Sequence, residues 1–292
     1  MTSGGIRFAL LGPVRAWDGA TELPLGSPQQ RTVLAALLLR EGAMVTVDEL
    51  VAAVWGDEPP RSAINTVRTY LSRLRTLLRD AATIVSVGGG YALPVDREAT
   101  DVTVFHAHVA EAREARRRGD PEATADALRA AVALHRGRPL SGAGGPYADA
   151  QRTRLEQQML AARIDLLAAE VDLGHAEEAI PELVALADEH PLRERVHELL
   201  MLALYQAGRQ ADALAVYQDV RLLLADELGI DPGAGLQSAH RRILAADPDL
   251  VLPAVHPAAT TPRTPIPRSG SQRPGGVAAP LRPRRHRRRT GL

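Results

Sequence analysis

The sequence contains no cysteine. It therefore has no disulfide framework, no thiolate zinc site and no cysteine nucleophile, a composition that fits a reducing cytoplasm. It also contains no lysine, so all 35 basic residues are arginine. That removes the phosphate-binding lysine of a Walker A loop, a Schiff-base lysine and the strand lysine of kinases. Aromatic residues are scarce, and the two tryptophans, Trp17 and Trp55, read as structural. The longest apolar runs, Val33–Leu39 and Leu199–Tyr205, fall far short of the roughly 18 residues of a membrane span. The first residues show no charged stretch followed by an apolar one, so no secretion leader is expected. No cofactor and no metal are expected.

The formal net charge is zero, with 35 basic residues against 35 acidic, but the charges are unevenly placed. Residues 1–100 carry ten arginines and ten acids, residues 101–249 carry 16 arginines and 25 acids, and residues 250–292 carry nine arginines and no acid. The chain thus reads as a neutral module, an acidic module and a basic tail, and the whole-chain balance says nothing about partners. The expected domains are residues 1–97, residues 101–249, and a Pro/Arg-rich tail over 250–292. The tail has too few large apolar residues to offset ordering entropy, so it is expected to be disordered.

Residues 6–25 read as short strands, with Asp18-Gly19 as a turn signal. Ser27-Pro28 is a helix start, and Val33-Leu34 with Leu37-Leu38 has helical spacing that should end near Gly42. Thr46 with Glu49 three residues on is a capping-box pattern, opening a second helix that stops at Gly56 and Pro59-Pro60. A third helix is predicted over about 62–79. Ile84–Val87, Gly88-Gly89-Gly90 and Tyr91–Leu93 follow as a hairpin with a flexible tip. From Asp101 onward the pattern is almost all helical, broken at Gly119, Gly137–Pro146, Gly174, His190-Pro191, Gly208 and Gly229–Gly233.

One internal repeat is visible. The segment from Gly174 to Ala179 recurs from Gly208 to Ala213. An offset of 34 residues is the tetratricopeptide period, in which Gly separates two helices and a small residue lets them pack closely. The predicted class is therefore mainly α with a small α+β N-terminal domain: a winged helix-turn-helix, then an all-α tetratricopeptide-like repeat domain.

The third helix carries the functional signal. Ile64, Val67, Leu71, Leu74 and Leu78 form one stripe that should face a core. The opposite face carries Ser62, Asn65, Thr69, Ser72 and Thr76, flanked by Arg61, Arg68, Arg73 and Arg79. No acid lies between Pro59 and Arg79. Short polar side chains reach base edges while arginines take phosphates or guanine, so this face suits a major groove. A solvated helix face is the plainer reading. Three helices between strands and a Gly-tipped hairpin favour the winged helix-turn-helix, in which the third helix reads DNA.

Residues 6–249 resemble the Streptomyces antibiotic regulatory protein (SARP) family of AfsR-like activators. Leu11-Gly12-Pro13, Gln30–Leu37, Val54-Trp55-Gly56, Asn65–Arg75 and Gly90-Tyr91 are similar to its OmpR/PhoB-type winged helix. His190–Glu194, Leu202–Leu214 and Glu227–Gly233 are similar to its bacterial transcriptional activation domain. The resemblance implies a transcriptional activator, of the kind that serves antibiotic biosynthetic genes. It implies a pair of protomers on promoter direct repeats of double-stranded DNA, with contact to the sigma subunit of RNA polymerase. The implied DNA-binding residues are Arg61, Asn65, Arg68, Thr69, Ser72, Arg73 and Arg75, with Gly89 at the wing tip offering backbone alone. Arg75 sits near the buried edge of the wheel, suited to pairing or to phosphate rather than to a base. Where the family's wing often carries an arginine, this chain has Gly88-Gly89-Gly90. The acidic Asp57 and Glu58, between helices two and three, are the candidate polymerase contact. The arginines of the tail would add non-specific DNA affinity through counterion release.

Other features are set aside. His106 and His108 are two apart on a helix and face different ways. His197-Glu198 opens like a zinc-protease motif, but Met201 stands where its second His belongs. Ser141–Gly145 has no preceding strand and reads as a connector. Two alternatives stay open: a helical-repeat scaffold that binds protein without reading DNA, and a regulator whose helical module holds a small molecule.

Overall fold

A computed structural model describes residues 5–79 and 81–250; the tail expectation falls outside them, apart from Leu250. The first sheet is built from β1 (Ile6–Ala9), β2 (Arg15–Asp18) and β3 (Thr21–Glu22), antiparallel in that order. The register sets Phe8 opposite Ala16, and both side chains are buried. α1 (Pro28–Leu38) starts where Ser27 Oγ accepts the Gln30 N–H and Pro28 fills a position that needs no donor. It is buried from Thr32 to Leu38, as the central helix of its module. β4 (Val45–Thr46) leads into α2 (Val47–Trp55), where Thr46 and Glu49 form the reciprocal capping box and Gly56 ends the helix. The backbone N–H and hydroxyl of Thr46 hold the Glu49 carboxyl below its ordinary range.

α3 spans Ala63–Leu78. β5 (Val85–Val87) and β6 (Gly90–Ala92) then form the wing hairpin, and β6 lies between β5 and β4. The turn residues Gly88 and Gly89 have φ of +54° and +91°, which L side chains adopt at a cost. Gly90 is required by contact, because a Cβ there would lie 2.4 Å from the Val45 carbonyl oxygen.

The predicted stripe of α3 needs one correction. Val67, Leu71, Leu74 and Leu78 are buried, but Ile64 is 44% exposed. Ala63 takes the buried place one residue earlier. A four-residue step back from Val67 falls on Ala63, so the buried stripe begins at 63 and Ile64 turns outward.

The helical part runs through α4 (Asp101–Arg117), α5 (Pro121–Val132), α6 (Pro146–Asp172), α7 (Ala176–Glu189), α8 (Glu194–Gln206), α9 (Gln210–Leu228) and α10 (Ala234–Leu244). Gly174 and Gly208 turn α6 into α7 and α8 into α9, with φ of +87° and +75°. The repeat alanines Ala179 and Ala213 are buried, which permits the close helix approach that the period implied. Gly119 makes a third such turn, at φ +71°. Its equivalent of the repeat alanine is Thr124, buried with its hydroxyl donating to the Asp120 carbonyl at 2.7 Å. This turn lies 55 residues before Gly174, so it is off the 34-residue period that relates Gly174 to Gly208.

Two hydrophobic cores result, and their seam does not follow the composition change near residue 100. One core runs from Phe8 through the winged helix and into α4, α5 and α6 as far as Ala169. The other is built from α6 onward, from Ile164 to Leu250. Polar backbone contacts tie the first core together. Leu140 N–H donates to Leu10 O at 2.9 Å, Ser141 N–H to Gly12 O at 3.1 Å, and Arg136 N–H to Leu11 O at 3.0 Å. The Thr32 hydroxyl donates to Gly144 O at 2.6 Å. The Ser141–Gly145 loop is thus a strap laid across the winged helix. From α6 the buried Arg152 holds it from the other side, donating to Pro139 O at 3.0 Å and to Leu140 O and Ala143 O at 3.3 Å. Gly145 has φ +96°, and a Cβ there would lie 2.5 Å from Val54 O, so the strap enters α6 hard against α2.

Candidate nucleic-acid interface

Burial of Val67, Leu71, Leu74 and Leu78 fixes which way α3 is rolled. Asn65, Arg68, Thr69, Ser72, Arg73 and Thr76 consequently all lie exposed, with Arg61 before the helix and Arg79 at its end. Among the described residues, Arg61, Arg68, Arg73 and Arg79 have no acidic partner within ion-pair distance. Arginines elsewhere in the chain commonly do, as Arg40 with Glu49 at 2.6 Å and Arg163 with Glu182 at 2.6 Å. The face therefore holds four guanidinium groups without an ion pair among the described residues, around a centre of small polar side chains. Such a surface releases counterions on meeting a phosphate backbone.

The threonines are partly committed. Thr69 donates its hydroxyl to Asn65 O at 2.9 Å, and Thr76 donates to Ser72 O at 3.1 Å. Each keeps an acceptor oxygen and a methyl group, which suits a base amino group or the thymine methyl. Asn65 keeps both donor and acceptor.

Arg75 is placed differently from the other arginines. Its Nε donates to Ile84 O at 2.9 Å, a terminal nitrogen donates to Ser86 Oγ at 3.0 Å, and its guanidinium carbon stands 5.2 Å from the Tyr91 ring centroid. It braces α3 against the wing instead of standing free above the helix. The wheel placed it at the buried edge; the partners, nine to sixteen residues further on, appear only in the fold.

Gly89 is at the exposed tip of the wing with open space around its Cα. Thr83–Leu93 carries no basic side chain. Asp57 and Glu58 are exposed in the turn between α2 and α3 and, among the described residues, make no ion pair. This turn leaves α2 at Gly56, where a Cβ would come within 3.2 Å of the Pro146 ring at the start of α6, so the helical part helps to place it. His106 and His108 turn to Gln158 and Glu111 respectively, and His197 to Pro191 O. Among the described residues no group of three or more His, Asp or Glu is placed to hold a metal ion, and no helix is long and apolar enough to cross a membrane. Asp101 and Arg152, which join the modules, were not singled out by sequence; Thr100, which caps α4, could have drawn attention to Asp101, and nothing local marks Arg152.

A winged helix with an exposed, arginine-flanked third helix, joined to a helical-repeat module, is the arrangement of a transcription regulator. Family comparison agrees: residues 21–93 match the C-terminal domain of transcriptional regulatory proteins, and residues 100–244 match the bacterial transcriptional activator domain. Regulatory protein AfsR of Streptomyces griseus is 50% identical over 260 residues, covering 88% of this chain and 26% of that protein. Regulatory protein DnrI of Streptomyces peucetius is 32% identical, covering 84% of this chain and 94% of that one. Among solved structures, Mycobacterium tuberculosis EmbR in complex with low affinity phosphopeptide is similar with a TM-score of 0.80 at 35% identity, covering 83% of this chain and 66% of that one. The chain belongs to the SARP family of AfsR-like transcriptional regulators. It spans about a quarter of the length of the AfsR proteins it matches.

Proposed function

We propose that this chain is a sequence-specific DNA-binding transcriptional activator of a secondary-metabolite gene cluster. The observation that carries the reading is the exposed face of α3, where four arginines without an ion pair among the described residues surround Asn65, Thr69 and Ser72. In this reading residues 1–97 form the DNA-binding domain and residues 101–249 the activation domain. Asn65, Thr69, Ser72 and Arg73 read base edges in the major groove, while Arg61, Arg68 and Arg79 take phosphates. Gly89 approaches the backbone, and Arg75 acts through the wing. Two protomers bind promoter direct repeats side by side. Asp57 and Glu58 meet basic residues of the RNA polymerase sigma subunit.

Footprinting on the chain's own upstream regions, followed by mobility shift, tests the reading. Asn65→Ala and Arg73→Ala are expected to weaken binding to the specific repeat by about 1–3 kcal/mol each, with scrambled DNA bound as before. Equal affinity for specific and scrambled repeats in the unsubstituted protein would refute it and favour a protein-binding scaffold. For the acidic turn, reversing Asp57 and Glu58 should abolish activation in transcription assays while leaving DNA affinity intact.

A further inference from the structure

A cleft of ≈ 540 Å³ opens on the helical module, away from α3, at the seam between the two cores. Phe105 of α4 and Val132 of α5 line one wall, and both belong to or pack on the first core. Met159 and Leu160 of α6 line the cleft where that helix passes from one core to the other. The turn between α7 and α8 closes it with His190 and Arg193, and His135 stands on the opposite rim.

The polar groups at the rim divide into two sets. Arg138 lies 3.8 Å from Glu156, and Arg163 lies 2.6 Å from Glu182 and 4.0 Å from Glu189, so those charges are offset. Arg193, His135 and His190 have no side-chain partner among the described residues. Residues 101–249 carry nine more acids than arginines. Against that acidic background, the cleft rim offers a guanidinium and two imidazoles that can meet an anion without breaking an ion pair among the described residues. Ligand clefts of this size, apolar with a few convergent polar groups, occur preferentially where two packed units meet.

We propose that this cleft binds a small organic acid. Its apolar body lies against Phe105, Val132, Met159 and Leu160, and its carboxylate meets Arg193 with His190 beside it, a charge-assisted pairing. The bound acid touches α4 and α5 on one side and the α7–α8 turn on the other, so it links the two cores across α6.

The site is tested with 2-naphthoate as the probe and neutral 2-naphthamide as its control, using the full chain with methyl-labelled methionine. Methyl NMR of Met159 reports the cleft, and Met44 of the winged helix is the internal reference. A saturable shift confined to Met159 is expected with naphthoate, and about tenfold weaker binding with naphthamide. Arg193→Gln should weaken naphthoate by about tenfold and leave naphthamide unchanged. Val132→Trp, which fills the cleft, should abolish both; Val132→Met, with an unchanged fold by circular dichroism, serves if the tryptophan is not tolerated. No saturable shift at millimolar naphthoate, equal affinity for acid and amide, or an Arg193→Gln protein that binds naphthoate undiminished would each overturn the proposal.

Discussion

The carboxylate of Asp101 accepts the backbone N–H groups of Leu10, at 2.8 and 3.0 Å, and Leu11, at 3.0 Å. The first residue of α4 thus closes the loop between β1 and β2, some ninety residues away. Leu10 and Leu11 are themselves fully buried, so their N–H groups depend on this acceptor. Burial pushes the Asp101 carboxyl above its ordinary range, against the opposing pull of the Leu11 and Leu10 donors. Asp101→Ala leaves both donors unpaired and should cost about 1–3 kcal/mol for each. Asp101→Asn keeps one acceptor and should cost less than Asp101→Ala. Urea unfolding of the three proteins checks the order; equal stability of all three would show that the junction holds without this contact.

Arg75 ties α3 to the wing through Ile84, Ser86 and Tyr91. Arg75→Ala is expected to lower DNA affinity for specific and scrambled repeats alike, because the wing loses its brace while the face proposed to read bases is untouched. Arg75→Lys should restore little, since an ammonium cannot donate in a planar fork to two acceptors and lie over a ring. A mobility-shift series over both repeats decides it: selective loss on the specific repeat would make Arg75 a base reader.

The one-residue offset at the start of α3 makes opposite predictions for neighbours. Ile64→Ala, at an exposed position, should change stability by no more than about 0.5 kcal/mol. Ala63→Leu would add three heavy atoms at a buried position and should cost about 1–3 kcal/mol. Thermal unfolding of the two variants tests the placement.

His197 is buried in the second core, with Nε2 2.9 Å from Pro191 O. Burial is the main cause holding its pKa below the ordinary 6.5, and the Pro191 carbonyl, Asp188 and Glu194 oppose it. His240, stacked on Tyr217, shifts the same way through burial. A base with a depressed folded-state pKa binds its proton more readily in the unfolded chain. Its contribution to stability is therefore complete above about 6.5 and is lost as pH falls from there toward the folded value. Denaturant unfolding between pH 7.5 and 5.5 should show this fall, and His197→Gln should flatten it. An unchanged slope in the variant would place the dependence elsewhere.

Gly145 and Gly89 both have positive φ, but only Gly145 is crowded. Gly89→Ala should cost about 1–2 kcal/mol from backbone conformation alone. Gly145→Ala adds a 2.5 Å approach to Val54 O and should be the more destabilising of the two in the same thermal assay, with α2 and α6 pushed apart.

Much of the architecture was legible because its causes are local. Ser27 and Thr46 satisfy N–H groups three residues away, and Gly56, Gly174 and Gly208 stop helices by their own backbone freedom. The exposed face of α3 was legible for the same reason, since a 3.6-residue period fixes which side chains oppose the buried stripe. The Ile64 and Ala63 exchange escaped because a 3.6-residue period allows a step of three or four back from Val67, and the larger apolar residue sits at the step the helix does not bury.

What the tertiary structure alone decided is the joining of the modules. Asp101 and the Leu140-Ser141 strap engage backbone N–H and C=O groups of Leu10, Leu11 and Gly12, and every residue type offers those groups, so no side-chain pattern announces them. Arg75 finds Ile84 and Ser86 in the same way, through a carbonyl and a hydroxyl that carry no charge signature. Sequence, through its caps, breakers and periodicity, determined which helices exist and which face of α3 is free. Only folding, by bringing distant backbone into contact, decided that one core spans the winged helix and the first helical hairpin.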